Sequence, residues 1–248
     1  MPNRRRGIYI LPNLFTTAAL FAGFYSIVAA MNSHFESAAI AIFVAMILDG
    51  MDGRIARLTN TQTDFGVQYD SLSDMVSFGL APALVVYQWS LYGMGKLGWV
   101  GSFVFAASTA LRLARFNTQV GSADKRFFQG LPSPAAAALI AGLIWFGSSQ
   151  GLWDGSNITY IAFPLTVVAG ILMVSNIRYH SFKQFDLKGR VPFIAGLIIV
   201  LVFGLIASKP PLVLFLLALI YAVSGPVMTL VLIRKRRAER KLQETGGE

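Results

Sequence analysis

Asp49-Gly50-Met51-Asp52-Gly53-Arg54-Ile55-Ala56-Arg57, followed by Gly66, Asp70 and Asp74, places four carboxylates and two arginines inside or beside two strongly apolar segments, 38–48 and 75–86. Charge in such surroundings needs a physical reason. On helices, Asp49 and Asp52 (i, i+3) share one face, and Asp70 and Asp74 (i, i+4) share another. Residues 60–71 include Thr, Asn, Gln and Gly, so the chain can turn near 60–64 and bring the two faces together. Four carboxylates would then surround one small volume, where bare they repel one another and lose solvation at a cost of several kcal/mol per ion. Hard divalent cations remove that cost. An all-carboxylate set without His or Cys selects Mg2+, Mn2+ or Ca2+ over zinc, and a formal charge of minus four suggests two ions. Gly53, Ala56 and Gly66 are small where a ligand or a neighbouring helix must approach the backbone. Arg57, one turn beyond Gly53, can reach a phosphate.

The surrounding chain has the composition of a membrane protein. Its 248 residues are 55% apolar, and the mean hydropathy is +0.59. There is no cysteine, which excludes disulfides and thiol chemistry. Apolar windows of roughly 20 residues, the length that crosses about 30 Å of hydrocarbon, fall at 10–31, 35–57, 67–91, 97–116, 133–149, 157–175, 191–207 and 211–233. The expectation is one all-α polytopic membrane domain over 1–248: a bundle of eight transmembrane helices, six forming a core and two peripheral. Arg4, Arg5 and Arg6 precede the first window, but that window is too long for a cleaved signal peptide and lacks a small-residue cleavage site.

The net charge of +9 does not point to nucleic acid, because the cations cluster at segment ends. Of the 21 Lys and Arg, only Lys96 and Lys209 fall on the side opposite the acidic motif. By the positive-inside rule both termini and the motif lie at the cytoplasmic face. The basic ends, 4–6 and 234–241, suit anionic membrane lipids, and the fold fits a prokaryotic inner membrane. The last two windows carry no buried charge and read as lipid-facing packing or the surface of a homodimer.

The spacing D-x2-D-G-x2-A-R-x8-G-x3-D-x3-D resembles the signature of the CDP-alcohol phosphatidyltransferases, integral membrane enzymes of phospholipid synthesis. All eight specified positions are present: Asp49, Asp52, Gly53, Ala56, Arg57, Gly66, Asp70 and Asp74. The resemblance implies that the four aspartates hold Mg2+ or Mn2+ against the diphosphate of a CDP-linked lipid. It also implies that an N-x2-T pair from the first helix lies near the nucleotide. Asn13 and Thr16 match that pair, although both also suit helix capping, and Thr63 is a further candidate for the CDP phosphates.

Three downstream segments narrow the likeness. Asp70-Ser71-Leu72-Ser73-Asp74 with Phe78-Gly79-Leu80-Ala81-Pro82, then Arg112-Leu113-Ala114-Arg115-Phe116-Asn117, then Phe128-Gln129-Gly130-Leu131-Pro132-Ser133-Pro134 resemble the branch of the family that makes phosphatidylserine. The reaction so implied passes the phosphatidyl group of CDP-diacylglycerol to the hydroxyl of L-serine and releases CMP, with Asp74 as general base. Arg112, Arg115, Asn117, Lys125 and Arg126 are the groups available for the serine carboxylate or a lipid phosphate. Pro82 should disturb the third helix. Trp89, Tyr92 and Trp99 should form an outer aromatic belt.

Two rivals stand beside this reading. The same family with glycerol 3-phosphate, inositol phosphate or choline as acceptor would carry the same signature, which serves the shared donor. A divalent-cation transporter could also use intramembrane acids. Transporters often show two related halves, whereas the acidic signature occurs once, with no counterpart in 130–232.

Overall fold

A computed structural model describes residues 10–59, 63–118, 127–152, 155–180 and 193–245. Eight long helical rods run through them: α1 (Ile10–Met31), α2 (Phe35–Leu58), α3 (Asp64–Met94), α4 (Lys96–Thr118), α5 (Ser133–Ser149), α6 (Thr159–Val174), α7 (Phe193–Ser208) and α8 (Pro210–Thr245). They follow the eight apolar windows, except that α8 runs on through the basic stretch to Thr245, beyond the window's end at 233. Five are long and apolar enough to cross a membrane by length and composition: α1, α3, α4, a segment spanning α6, and α8. The other three have specific reasons for falling short. α2 carries Glu36, Asp49, Asp52, Arg54 and Arg57, while α5 and α7 are 17 and 16 residues long.

Small residues set the packing, as expected where helices associate by close contact rather than by hydrophobic exclusion from water. α1 and α2 run side by side, with Ala19, Ala22, Ala29 and Ala30 of one and Ala38, Ala41 and Ala45 of the other buried. Gly23 of α1 meets Ser77 of α3 so closely that a Cβ would lie 2.7 Å from the Ser77 Cα. α3 begins as an α-helix, widens to a π-helix over Met75–Leu80 and returns to α over Ala81–Val86. The disturbance expected of Pro82 takes this form, because a proline nitrogen cannot donate to the preceding turn. α3 ends at Gly95, whose φ of +58° suits glycine.

The structure corrects two expectations. The fold is not wholly helical: Phe127–Gln129 (β1) pairs antiparallel with Arg178–His180 (β2), in the register Phe127 to His180, Phe128 to Tyr179 and Gln129 to Arg178. Trp89 is no belt residue. It is 1% exposed, its indole donates to the Leu152 carbonyl over 3.2 Å, and Gly147 and Gly155 pack on its ring. Tyr92 and Trp99 are exposed, as a belt requires.

The last helix turns most of its surface outward, as a lipid-facing span does, and packs inward along one side. α8 packs on α5, where Phe215 stacks on Phe146 at 6.2 Å between ring centres and Gly142 meets the Phe215 backbone. It also holds β2. The buried Tyr179 hydroxyl donates to the Ala222 carbonyl over 2.9 Å, and Tyr221 donates to the His180 carbonyl over 3.2 Å. Burial, with Tyr221 beside it, pushes the Tyr179 phenol up to about 12, so it remains a donor. α7 packs on α8 and presents Leu197, Val200, Leu201, Phe203 and Leu205 outward.

Candidate active site

The acids lie where the end of α2 meets the start of α3. Asp49, Asp70 and Asp74 each offer a carboxylate oxygen within 4.8 Å of the others, and all three are half-buried. Like charges so close in a partly dry site are unfavourable unless a cation joins them. An oxygen-only donor set fits a hard divalent ion. The fourth acid is held differently. Asp52 is 5% exposed and accepts a hydrogen bond of 2.7 Å from the Thr16 hydroxyl of α1. It stands outside the trio of closest oxygens, yet near enough for its charge to act on Asp49 and Asp74.

A row of polar side chains fixes α3 against α1. Tyr69 and Thr17 share a hydrogen bond of 2.8 Å. Ser73 donates to the Thr16 carbonyl and Ser77 to the Ala19 carbonyl, each over 3.1 Å. The three α3 residues are spaced i, i+4, i+8, one helical face. Asp70 and Asp74 each follow a member of that row by one residue, so gripping the row sets the direction of the acids. On another side, Asn117 at the end of α4 donates to the Ser71 hydroxyl over 3.0 Å. Ser71 sits between the two acids in sequence, so α4 is tied to the site as well.

The residues expected around the nucleotide gather at the same end. Asn13 lies beside Gly66, its side-chain oxygen 3.6 Å from where a Cβ would stand. Thr63 caps α3, its hydroxyl accepting from the Gly66 N–H over 3.0 Å. Gly53 faces open space, and Ala56 is half-buried. Arg57 is exposed and donates through Nε to the Gly53 carbonyl over 2.9 Å. The expected turn falls between Leu58 and Asp64, with residues 60–62 outside those described.

Arg112 turns inward. Its Nη1 donates to the Ser133 hydroxyl over 2.8 Å, and its guanidinium lies within electrostatic reach of Asp74 and of Tyr221 from α8. Arg112 Nε and, one turn on, Arg115 Nη1 are buried donors without a hydrogen-bond partner among the described residues. Buried guanidinium donors are costly to leave unmet, and two such donors suit an anionic ligand. Ser133 is fully buried and placed by the turn before it. Gly130 takes a φ of +76°, its N–H donates to the Ile177 carbonyl over 2.8 Å, and Leu131 donates to the Leu172 carbonyl over 3.0 Å. Lys125 and Arg126 lie outside the described residues.

Sequence reasoning gave no role to Tyr69, Ser73, Ser77, Ser133 or Tyr221. The period of four in the first three was a readable signal. Ser133 fell within the segment 128–134 already singled out, but its partner Arg112 lies 21 residues away, and Tyr221 bonds to the His180 carbonyl 41 residues away.

The profile of the CDP-alcohol phosphatidyltransferase family matches residues 9–174. A protein of Helicobacter pylori called CDP-diacylglycerol–serine O-phosphatidyltransferase is 37% identical over 229 residues, covering 92% of this chain and 94% of the relative. Proteins of the same name from Methanocaldococcus jannaschii and Bacillus subtilis are 36% and 29% identical, covering 58% and 70% of this chain and 63% and 92% of those relatives.

Proposed function

The chain belongs to the CDP-alcohol phosphatidyltransferase family, and from that premise we propose that it transfers the phosphatidyl group of CDP-diacylglycerol to the hydroxyl of L-serine, giving phosphatidylserine and CMP. One relationship carries the choice of acceptor. The segments that narrow the resemblance are joined to the acid cluster, Asn117 through Ser71, and Ser133 through Arg112, whose charge acts on Asp74. A site that acted on the shared donor alone would have no use for those links.

Asp49, Asp70 and Asp74, with Asp52 beside them, would hold Mg2+ or Mn2+, two ions by charge. When bound, such ions neutralise the charge that develops on the phosphoryl oxygens and on departing CMP. Thr16 fixes the Asp52 carboxylate. Gly53 and Ala56 leave room for cytidine, Asn13 and Thr63 border it, and Arg57 keeps donors beyond its bond to Gly53 for a phosphate. Arg112 and Arg115 meet the serine carboxylate with their unsatisfied donors, and Lys125 and Arg126 serve the lipid phosphates. The serine hydroxyl attacks the phosphorus that carries diacylglycerol. Its proton passes to Asp74, the new P–O bond replaces the bond to CMP, and CMP leaves. Proximity and orientation supply much of the rate.

All eight helices cross the membrane, with both termini and the site on the cytoplasmic side of a prokaryotic inner membrane. The distribution of Lys and Arg and the gathering of the site at one end of the bundle support this. A homodimer would use the apolar outer faces of α7 and α8.

The test supplies purified protein with CDP-diacylglycerol and Mn2+ or Mg2+ and, in parallel, serine, glycerol 3-phosphate, inositol phosphate or choline, while CMP release is followed. CMP should appear with serine. Release with another acceptor alone would refute the assignment.

A further inference from the structure

A cleft of about 180 Å³ opens between the ribbon and the last helix, lined by Asn176 and Arg178 from the ribbon and by Met228, Thr229, Leu232 and Ile233 from α8. By volume it holds about six water molecules at roughly 30 Å³ each. Its walls are fixed. Pro226 has no N–H to give the carbonyl four residues back, that of Ala222, and the Tyr179 hydroxyl of β2 supplies the missing donor over 2.9 Å. The Tyr179 ring lies where a side chain on Gly225 would stand. On the ribbon, Gln129 donates to the Asn176 side-chain oxygen over 2.7 Å, which leaves the Asn176 amide hydrogens for a ligand. Arg178 is exposed, and its guanidinium has no partner among the described residues.

We propose that this cleft binds the phosphate of an anionic membrane phospholipid, at a site separate from the catalytic one. Its lining is divided as such a ligand is. Arg178 presents a planar fork of donors that matches a phosphate, and Asn176 and Thr229 add neutral donors beside it. Met228 and Leu232 (i, i+4), with Ile233 next to them, are exposed and give α8 an apolar face for an acyl chain. Directly after Ile233 come Arg234, Lys235, Arg236 and Arg237. The cleft therefore lies where α8 passes from apolar to basic sequence, and a basic stretch beside a membrane span draws anionic headgroups to that depth. A free phosphate would meet the same fork, but it has nothing to lay on the apolar residues. None of the six lining residues belongs to the catalytic groups assigned above, and the inference does not rest on serine as acceptor.

The experiment titrates dioleoyl phosphatidylglycerol into the full-length protein in dodecyl maltoside and counts bound lipid by native mass spectrometry. We expect one tightly held lipid per chain, with the apparent Kd raised about tenfold in Arg178→Ala, the effect of losing hydrogen bonds to a charged group. Thr229→Trp, which fills the cleft and keeps the charge, should weaken binding to a similar degree. Lys96→Ala, which removes an equal charge elsewhere, and Arg112→Ala, at the catalytic site, should leave it unchanged. Inorganic phosphate in excess should not displace the lipid. CMP release by Arg178→Ala in detergent should stay within about twofold of wild type, the scatter expected of a surface change. The proposal is overturned if Arg178→Ala and Thr229→Trp bind as wild type does, or if Lys96→Ala weakens binding equally, since net charge alone would then explain it. Loss of binding in Arg112→Ala would place the lipid at the catalytic site, and a larger fall in CMP release by Arg178→Ala would place that arginine there; either overturns it. Displacement by inorganic phosphate also overturns it, because the cleft would then take the free anion. Should Arg178→Ala fail to fold, Thr229→Trp decides alone.

Discussion

The Thr16 hydroxyl donates to the Asp52 carboxylate over 2.7 Å, joining the first helix to the acidic motif of the second. Asp52 is buried, so the bond cannot be replaced by bulk water. Thr16→Val keeps the shape and removes the donor. Activity should fall on the order of tenfold, as expected for losing a hydrogen bond to a buried charge, and CMP release under saturating substrates measures it. Thr16→Ser should restore most of the rate.

Asp70→Asn and Asp74→Asn each remove one charge from the trio within 4.8 Å. Each should abolish turnover while the protein still inserts into membranes and elutes as a folded species in detergent. Mn2+ binding, followed by electron paramagnetic resonance, should weaken in both. Near-normal turnover in either variant would contradict its place at the site.

Chelation tests the same cluster without mutation. EDTA should stop CMP release from the wild-type enzyme, and Mg2+ or Mn2+ should restore it. Zn2+ should restore little, because carboxylate oxygens without His or Cys favour harder ions. Activity persisting in excess chelator would remove the cation from the scheme.

Ser71→Ala separates α4 from α3 at the point between the two acids. The expected loss in kcat is about fivefold to tenfold, the scale of one hydrogen bond. Asn117→Ala should match it, and the double variant should cost no more than either single change. Additive losses would mean that the pair does not act as a unit.

The chain has no native cysteine, so single-cysteine labelling reports topology cleanly. In spheroplasts a membrane-impermeant maleimide should label Lys96→Cys and Lys209→Cys. Arg178→Cys should react only after the membrane is opened. The reverse pattern would invert the assigned orientation.

The residues that were legible in the sequence were those whose chemistry conflicts with their surroundings. Aspartates among apolar residues demand a ligand, and among the described residues the window at 133–149 matches α5 to the residue while that at 35–57 stops one residue short of the end of α2. What remained hidden is physically different. The ribbon strands are three residues each, too short for an alternating pattern to register. The burial of Trp89 is decided by Gly147 and Gly155, far from it in sequence. Asp52 looks like Asp49 in the motif, and only the hydroxyl of Thr16 across the helix interface sets it apart. The hold of α8 on β2 was hidden because it runs through backbone carbonyls, Tyr179 to Ala222 and Tyr221 to His180.

The grip on α3 at Ser73 and Ser77 lands on main-chain oxygens of Thr16 and Ala19. Such acceptors are supplied by any amino acid that keeps the first helix intact. Divergence can therefore rewrite much of that helix while the two serines must stay, and the burden of inheritance falls unequally on two partners in the same contact.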